Sequence, residues 1–335
     1  MYVRATTAAA TAVTFNATDK TGDTSTMRRR MKLMLRVVMA VVAVWLAGDF
    51  IYSRIVARRL DRWEASVARS SQGVAEGAAA RTIGSGQTAL LLVHGINASP
   101  GCFYKMAPAL ADEGFTCRVM RLPGFAEPIE RYAEATKEQW LSAVKSELDD
   151  LKARHERVVI VAHSLGGAVA ISHLLAHPES VDAAVLLAPA VEVSNRRSPL
   201  LPTRAWHEIG RRILWFTTIT ESPFADGCHD PAGCGFPGKT AYTPTSIAQE
   251  TFELIDANRS RAGELGMPLL MVLASDDPVI DVAAAKEFFS RAPHGDNQLL
   301  TVPDSGHMLP VDRDWATIVK AIARFSRAAI QEASR

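Results

Sequence analysis

The sequence predicts an α/β domain built on a mostly parallel sheet, and three observations carry that prediction. Short apolar, β-branched runs alternate with segments of helical periodicity between Ala89 and Ala329, the pattern of crossover units around a sheet buried on both faces. One unit contains an abrupt strand-to-helix turn, Val158-Val159-Ile160-Val161-Ala162-His163-Ser164-Leu165-Gly166-Gly167-Ala168. The alternation breaks between Val191 and about Gly263, where an insertion carries aromatic residues and a Pro- and Gly-rich stretch.

The 335 residues fit one large domain with attachments. Hydrophobic content of 48% and charged content of 22% are ordinary globular values. A formal charge of +1 gives no electrostatic case for nucleic acid or a strongly acidic partner.

Residues 1–30 are expected to be disordered or dispensable, being rich in Ala, Thr and small polar residues over their first part, with Met27 as an alternative start. Residues 31–52 are expected to form a membrane anchor or signal segment. The basic block Arg28-Arg29-Arg30-Met31-Lys32 precedes an apolar stretch, Leu33 to Tyr52, interrupted by Arg36 and Asp49. That stretch reaches the roughly 20 residues a spanning helix needs, while its uninterrupted part, Val37 to Gly48, also suits a signal peptide. Trp45 stands where a small residue should precede a cleavage site at Ala47, which favours an uncleaved single-pass anchor. Lys and Arg nearly balance across the segment, so the positive-inside rule gives little orientation. Residues 53–86 read as a juxtamembrane linker, and the α/β domain is expected over 87–335, with its cap insertion at about 191–263.

Within that domain, Ala89–Val93 reads as a strand leading into His94-Gly95-Ile96-Asn97. A helix follows through Phe103, Met106, Ala107 and Leu110, and Gly114 ends it. Phe115 to Leu122 is the next strand. Thr136 and Gln139 form a capping-box signature, opening a helix with Trp140, Val144, Leu148 and Leu151 on one stripe. After the Ser164 turn and its helix come a strand from Ala183 to Ala188 and then the insertion, with Trp206, Trp215, Phe216 and Phe224 followed by Ile247, Phe252 and Ile255. Such an insertion is expected to cover the carboxyl edge of the sheet, where open α/β sheets bind ligands. Met267–Leu273 resumes the pattern and leads into Ser275-Asp276-Asp277-Pro278-Val279. A strand from Gln298 to Val302 then precedes Ser305-Gly306-His307.

The turn at Ser164 has the form of a nucleophile elbow, a sharp bend that presents one Ser at its apex. Its sterics demand small residues two before and two after, here Ala162 and Gly166. A plain strand–helix turn with a capping Ser is the competing reading, and the surrounding strand, helix and further motifs argue against it.

Those motifs together resemble the α/β-hydrolase superfamily, with the serine aminopeptidase and monoacylglycerol-lipase-like branch closest. The resemblance rests on His94-Gly95-Ile96-Asn97, Ala162-His163-Ser164-Leu165-Gly166, Ser275-Asp276-Asp277-Pro278-Val279 and Ser305-Gly306-His307, in that order and each just after an apolar strand. It departs at Pro123-Gly124, where Phe125 follows instead of the His many relatives carry, and in the lack of clear counterparts to the first two strands before Gln87. The resemblance implies an α/β-hydrolase fold with a helical cap. It also implies a triad of Ser164 as nucleophile, His307 as base and Asp277 as its orienting acid, in the chain order of this fold. Asp276 competes for the acid's role. The oxyanion hole would use the backbone N–H groups of Ile96 and Leu165. His163 and His94 would support the elbow and its neighbouring loop.

The expected activity is cleavage of carboxylic esters with apolar acyl groups through an acyl-enzyme, lipid-like esters among them. A serine peptidase or thioesterase on the same fold, or a non-catalytic membrane-tethered binding protein, are the alternatives. No metal or organic cofactor is required. The basic block and the even number of cysteines favour an exported catalytic domain, and of the four cysteines Cys228 and Cys234 are expected to close a local disulfide in the cap.

Overall fold

The structure, a computed structural model, describes residues 21–198, 200–221 and 227–332. The first twenty residues and Phe224 lie outside the described residues. Two compact units divide the chain, residues 1–48 and 49–335, and helix α1 (Thr21–Ser66) contributes to both. Residues 21–30, within the stretch expected to be disordered or dispensable, lie in this helix. In the first unit this helix is long and apolar enough, by length and composition, to cross a membrane or to be a signal sequence.

The second unit begins well before residue 87. α1 buries Val56 and Leu60 in the main core, and Val74, Ala75 and Ala78 form a small cluster of their own. Where a linker was expected over 53–86, the chain is folded. It even supplies a strand, β1 (Arg81–Ile83), too short to show in an alternation pattern.

The chain then runs through β2 (Thr88–Val93), α2 (Met106–Asp112), β3 (Thr116–Val119), α3 (Ile129–Ala133), α4 (Lys137–Lys152), β4 (Arg157–His163), α5 (Leu165–Ala176) and β5 (Ala183–Leu187). The cap follows with α6 (Thr203–Ile213), β6 (Ile219–Glu221), β7 (Tyr242–Pro244) and α7 (Thr245–Asn258). The core resumes with β8 (Leu269–Ala274), α8 (Val282–Ser290), β9 (Gln298–Val302) and α9 (Trp315–Glu332). The sheet order is β1-β3-β2-β4-β5-β8-β9, parallel throughout except for β1, which pairs antiparallel with β3. This is the mostly parallel, helix-flanked sheet of the α/β-hydrolase fold.

β4 lies at the centre, and its Val158–Ala162 segment is buried on both faces, as the unbroken apolar run requires. The Thr136 hydroxyl accepts from the Gln139 N–H while the Gln139 side chain accepts from the Thr136 N–H, so the capping box forms. Trp140, Val144, Leu148 and Leu151 are buried on the stripe that follows.

The cap contains helix, as expected, and also a two-stranded antiparallel sheet, β6 with β7. α7 is tied to the core. Its Asn258 side chain donates to the Ala168 carbonyl at 2.8 Å and accepts from the Ser172 hydroxyl at 2.8 Å. The aromatic residues of the first half behave differently. Trp206, Trp215 and Phe216 are exposed by 43%, 71% and 48%, facing outward rather than into a core. Cys228 and Cys234 are bonded, with Cα atoms 6.4 Å apart, while Cys102 and Cys117 are buried thiols.

Candidate active site

β4 ends at His163, and Ser164 takes φ +53° and ψ −117° before α5 begins at Leu165. A positive φ is costly for a side chain with Cβ and persists only where the surroundings fix it. Here the Ser164 N–H donates to the Leu187 carbonyl of neighbouring β5 at 3.0 Å. The Ser164 carbonyl accepts from Ala190 N–H at 3.0 Å. Close packing completes the constraint. A Cβ on Gly166 would lie 2.5 Å from the His94 carbonyl oxygen and 2.6 Å from that of Val93. One on Gly167 would meet Pro189 Cβ at 2.8 Å.

His307, from the loop after β9, reaches Ser164. Its Nε2 lies 2.9 Å from Ser164 Oγ, and its Nδ1 lies 2.8 Å from Asp277 Oδ2. All three side chains are buried. Asp277 Oδ1 accepts from the Val279 and Ile280 N–H groups at 2.8 and 3.1 Å. Burial would push the Asp277 carboxyl up. The facing His307 ring and the two N–H groups outweigh it and hold the group below the ordinary carboxylate range. Asp276 points the other way, exposed and paired with Arg196.

The His94–Asn97 loop lies against the elbow, since a Cβ on Gly95 would meet Ser164 Cβ at 2.8 Å. Ile96 follows directly, half-buried. Leu165, fully buried, opens α5, where the first N–H groups of a helix have no intrahelical partner and carry partial positive charge. Asn97, at φ +55°, ties this loop to its surroundings. Its side chain donates to Thr243 Oγ1 in the cap at 2.7 Å and accepts from the Tyr132 hydroxyl at 3.0 Å.

Burial pushes the His94 ring down to about 4, so it is neutral. Its Nε2 accepts from the Leu122 N–H at 3.1 Å, which assigns the proton to Nδ1, 3.0 Å from the Gly95 carbonyl. The ring packs edge-on against Phe125 at 4.9 Å. His163 is pushed down to about 3 by burial and by the neighbouring His307 ring. It holds the opposite loop as well as the elbow: its Nε2 lies 2.9 Å from the His307 carbonyl oxygen and, being neutral, donates to it.

Asp312 is the residue that sequence reasoning missed. Fully buried, it accepts four N–H groups. Oδ2 takes those of Gly306 at 2.8 Å and His229 at 2.9 Å, and Oδ1 those of Asp230 and Arg313, both at 2.9 Å. It thus clamps the disulfide-closed loop of the cap to the loop carrying His307. The His307 N–H in turn donates to the Gly227 carbonyl at 3.0 Å. The only sequence signal was an acid, within Asp312-Arg313-Asp314, close to the Ser305-Gly306-His307 motif.

Residues 84–314 match the family model "Serine aminopeptidase, S33". The chain belongs to this family, within the α/β-hydrolases. Among curated relatives, the thermostable monoacylglycerol lipase of Bacillus sp. (strain H-257) is 23% identical over 248 residues, 72% of this chain and 91% of that protein. The carboxylesterase of Bacillus subtilis (strain 168) is 20% identical over 245 residues, 73% and 94% of the two chains. The monoacylglycerol lipase structure from Paleococcus ferrophilus superposes with a TM-score of 0.64 at 18% identity, covering 75% of this chain and 98% of that one.

Proposed function

We propose that the protein is a serine hydrolase that cleaves carboxylic esters with apolar acyl groups. The observation that carries this reading is the continuous line Ser164 Oγ–His307 Nε2, His307 Nδ1–Asp277 Oδ2, at 2.9 and 2.8 Å in a buried setting. His307 takes the proton as Ser164 Oγ attacks the ester carbonyl, and Asp277 holds the ring by its Nδ1–H and stabilises the imidazolium. The negative oxygen of the tetrahedral intermediate is met by the Leu165 and Ile96 N–H groups. The alcohol leaves with the proton from His307. A water, deprotonated by His307, then attacks the acyl-enzyme, the acid departs, and Ser164 Oγ regains its proton. The lipase and esterase relatives support esters as the substrate class, and monoacylglycerol lipases among them support lipid-like ones.

Labelling by a fluorophosphonate tests the nucleophile. Wild type should label and Ser164→Ala should not. Equal labelling removes the assignment. A series of p-nitrophenyl esters of increasing chain length then reads the acyl preference, expected to favour medium over acetyl chains. Turnover of aminoacyl amides but not esters would move the reading to a peptidase.

The first unit and the start of the second act as a single-pass anchor over 31–52, with the catalytic unit on the exported side. Support comes from the apolar length of α1 and from the Cys228–Cys234 bond, a linkage typical of oxidising compartments. Full-length protein should stay with membranes through a carbonate wash.

A further inference from the structure

Asp49 interrupts the apolar stretch one residue before Phe50, and the catalytic unit uses it. Its carboxylate accepts the Trp215 N–H at 2.7 Å and the Phe216 N–H at 2.9 Å, both on Oδ2, and the Thr217 hydroxyl at 2.5 Å on Oδ1. With three donors from the cap loop the acid is 5% exposed. Phe50 adds an edge-on ring contact with Phe216, centroids 5.5 Å apart. The cap loop is therefore fastened to the segment of α1 that lies directly before Arg54, the first cation after the apolar stretch.

The surface next to that fastening is apolar and turned outward. α6 buries none of its residues, and Trp206, Ile209 and Ile213 form one stripe along it, 43%, 38% and 38% exposed. Trp215 and Phe216 continue beyond its end. By helical spacing Arg212 lies at the margin of the stripe and Arg211 on the opposite face, both paired with Glu208. An amphipathic helix with Trp and aliphatic residues on one face and Arg at its margin suits a membrane interface. A contiguous apolar patch is rarely left to water.

Resting on the anchor reading above, we infer that the cap itself is a second membrane contact: α6 and the Trp215–Phe216 loop lie in the leaflet interface, with the loop fastened to Asp49. The bilayer is the occupant that fits, because Asp49 and Phe50 belong to the apolar stretch and hold the cap loop at its end. The relatives' matches cover about three quarters of this chain, and the family match begins at residue 84, after this helix.

The test uses the full chain in phosphatidylcholine vesicles whose acyl chains are brominated near the headgroup. Trp45 is first replaced by Phe, to remove the tryptophan inside the apolar stretch. The Trp45→Phe protein should lose about a third of its fluorescence to the brominated lipid. Adding Trp206→Phe and Trp215→Phe should abolish that loss, with the thermal midpoint confirming that the variant is folded. Asp49→Asn should reduce the quenching while leaving the protein resistant to carbonate. No quenching in Trp45→Phe overturns the inference, as does quenching that persists in the triple variant. Quenching by Trp206 and Trp215 in a protein that carbonate releases keeps the cap contact and removes the anchor instead, so the two readings fail separately.

Discussion

The two sides of the Ser164–His307 pair are positioned by different physics. The Ser164 side is held by excluded volume. Gly166, Gly167 and Gly95 each stand where one methyl would collide with carbonyl oxygens, Pro189 or Ser164 itself. The His307 side is held by hydrogen bonds from distant chain. Asp312 gathers N–H groups from 229, 230 and 306, Gly227 accepts from His307, and His163 donates to its carbonyl. Sterics at an elbow tolerate almost no change and depend little on solution conditions. A hydrogen-bonded clamp tolerates substitution in its surroundings but depends on protonation and on the disulfide that shapes one of its jaws.

The largest expected effect lies where the two sides meet. Asp277→Asn leaves His307 in the wrong tautomer and should lower kcat by about four orders of magnitude. Asp276→Asn, which removes only an exposed ion pair with Arg196, should change kcat less than about twofold. Steady-state kinetics on a soluble ester separates them, and the reverse ranking would transfer the orienting role to Asp276.

Next comes the steric side. Gly166→Ala forces a methyl to within 2.5–2.6 Å of two backbone oxygens that cannot turn aside. A loss of about 3 kcal/mol in urea unfolding is expected, the upper part of the range for overpacking. A loss below about 1 kcal/mol would show that the elbow can open and is not held by excluded volume alone.

The clamp should respond more selectively. Asp312→Asn replaces one acceptor oxygen with a donor facing N–H groups, so the His307 loop shifts while the elbow keeps its shape. A displacement near 1 Å is enough for about a hundredfold loss. We expect that loss in kcat, with KM within about threefold. Reduction of Cys228–Cys234 should act in the same direction and less strongly, because the loop loses closure and not its acceptor. A fall in KM-dependent binding alone would place Asp312 outside the positioning of His307.

How much of this was legible follows the same division. The elbow, the capping box and the buried strands depend on neighbours within a few residues, and Ala162, Gly166, Thr136 and Gln139 announce them. Strand β1 was missed because three residues with one antiparallel partner give no alternation to read. Asp312 was invisible for a different reason: its partners at 229 and 230 lie some eighty positions away, and no periodicity links them. The cap's aromatic residues were legible as apolar, but their direction was not, since the sequence cannot say whether a Trp faces a core or a lipid. Asp49 stood out as a charge in an apolar stretch, yet its three donors come from the cap.

The smallest effect of a substitution concerns acid. His94 and His163 are buried and neutral, held down to about 4 and about 3, against about 6.5 in an unfolded chain. The unfolded state therefore binds more protons as pH falls below that value. The stability these rings permit is complete above about pH 6.5 and declines as pH drops towards their folded values. At pH 5 each ring costs about 2 kcal/mol relative to pH 7, taking 1.36 kcal/mol per pH unit. Asp277, also held low, contributes only further down, as pH falls from its unfolded value of about 3.9 through its folded one. His173, also buried and held down to about 4, adds a similar cost, so urea unfolding at the two pH values should show a drop of about 6 kcal/mol in wild type. His163→Gln keeps a donor for the His307 carbonyl and has no ring to titrate, so its drop should be about two thirds as large. A full-sized drop in that variant would mean that His163 is not what links this loop to pH.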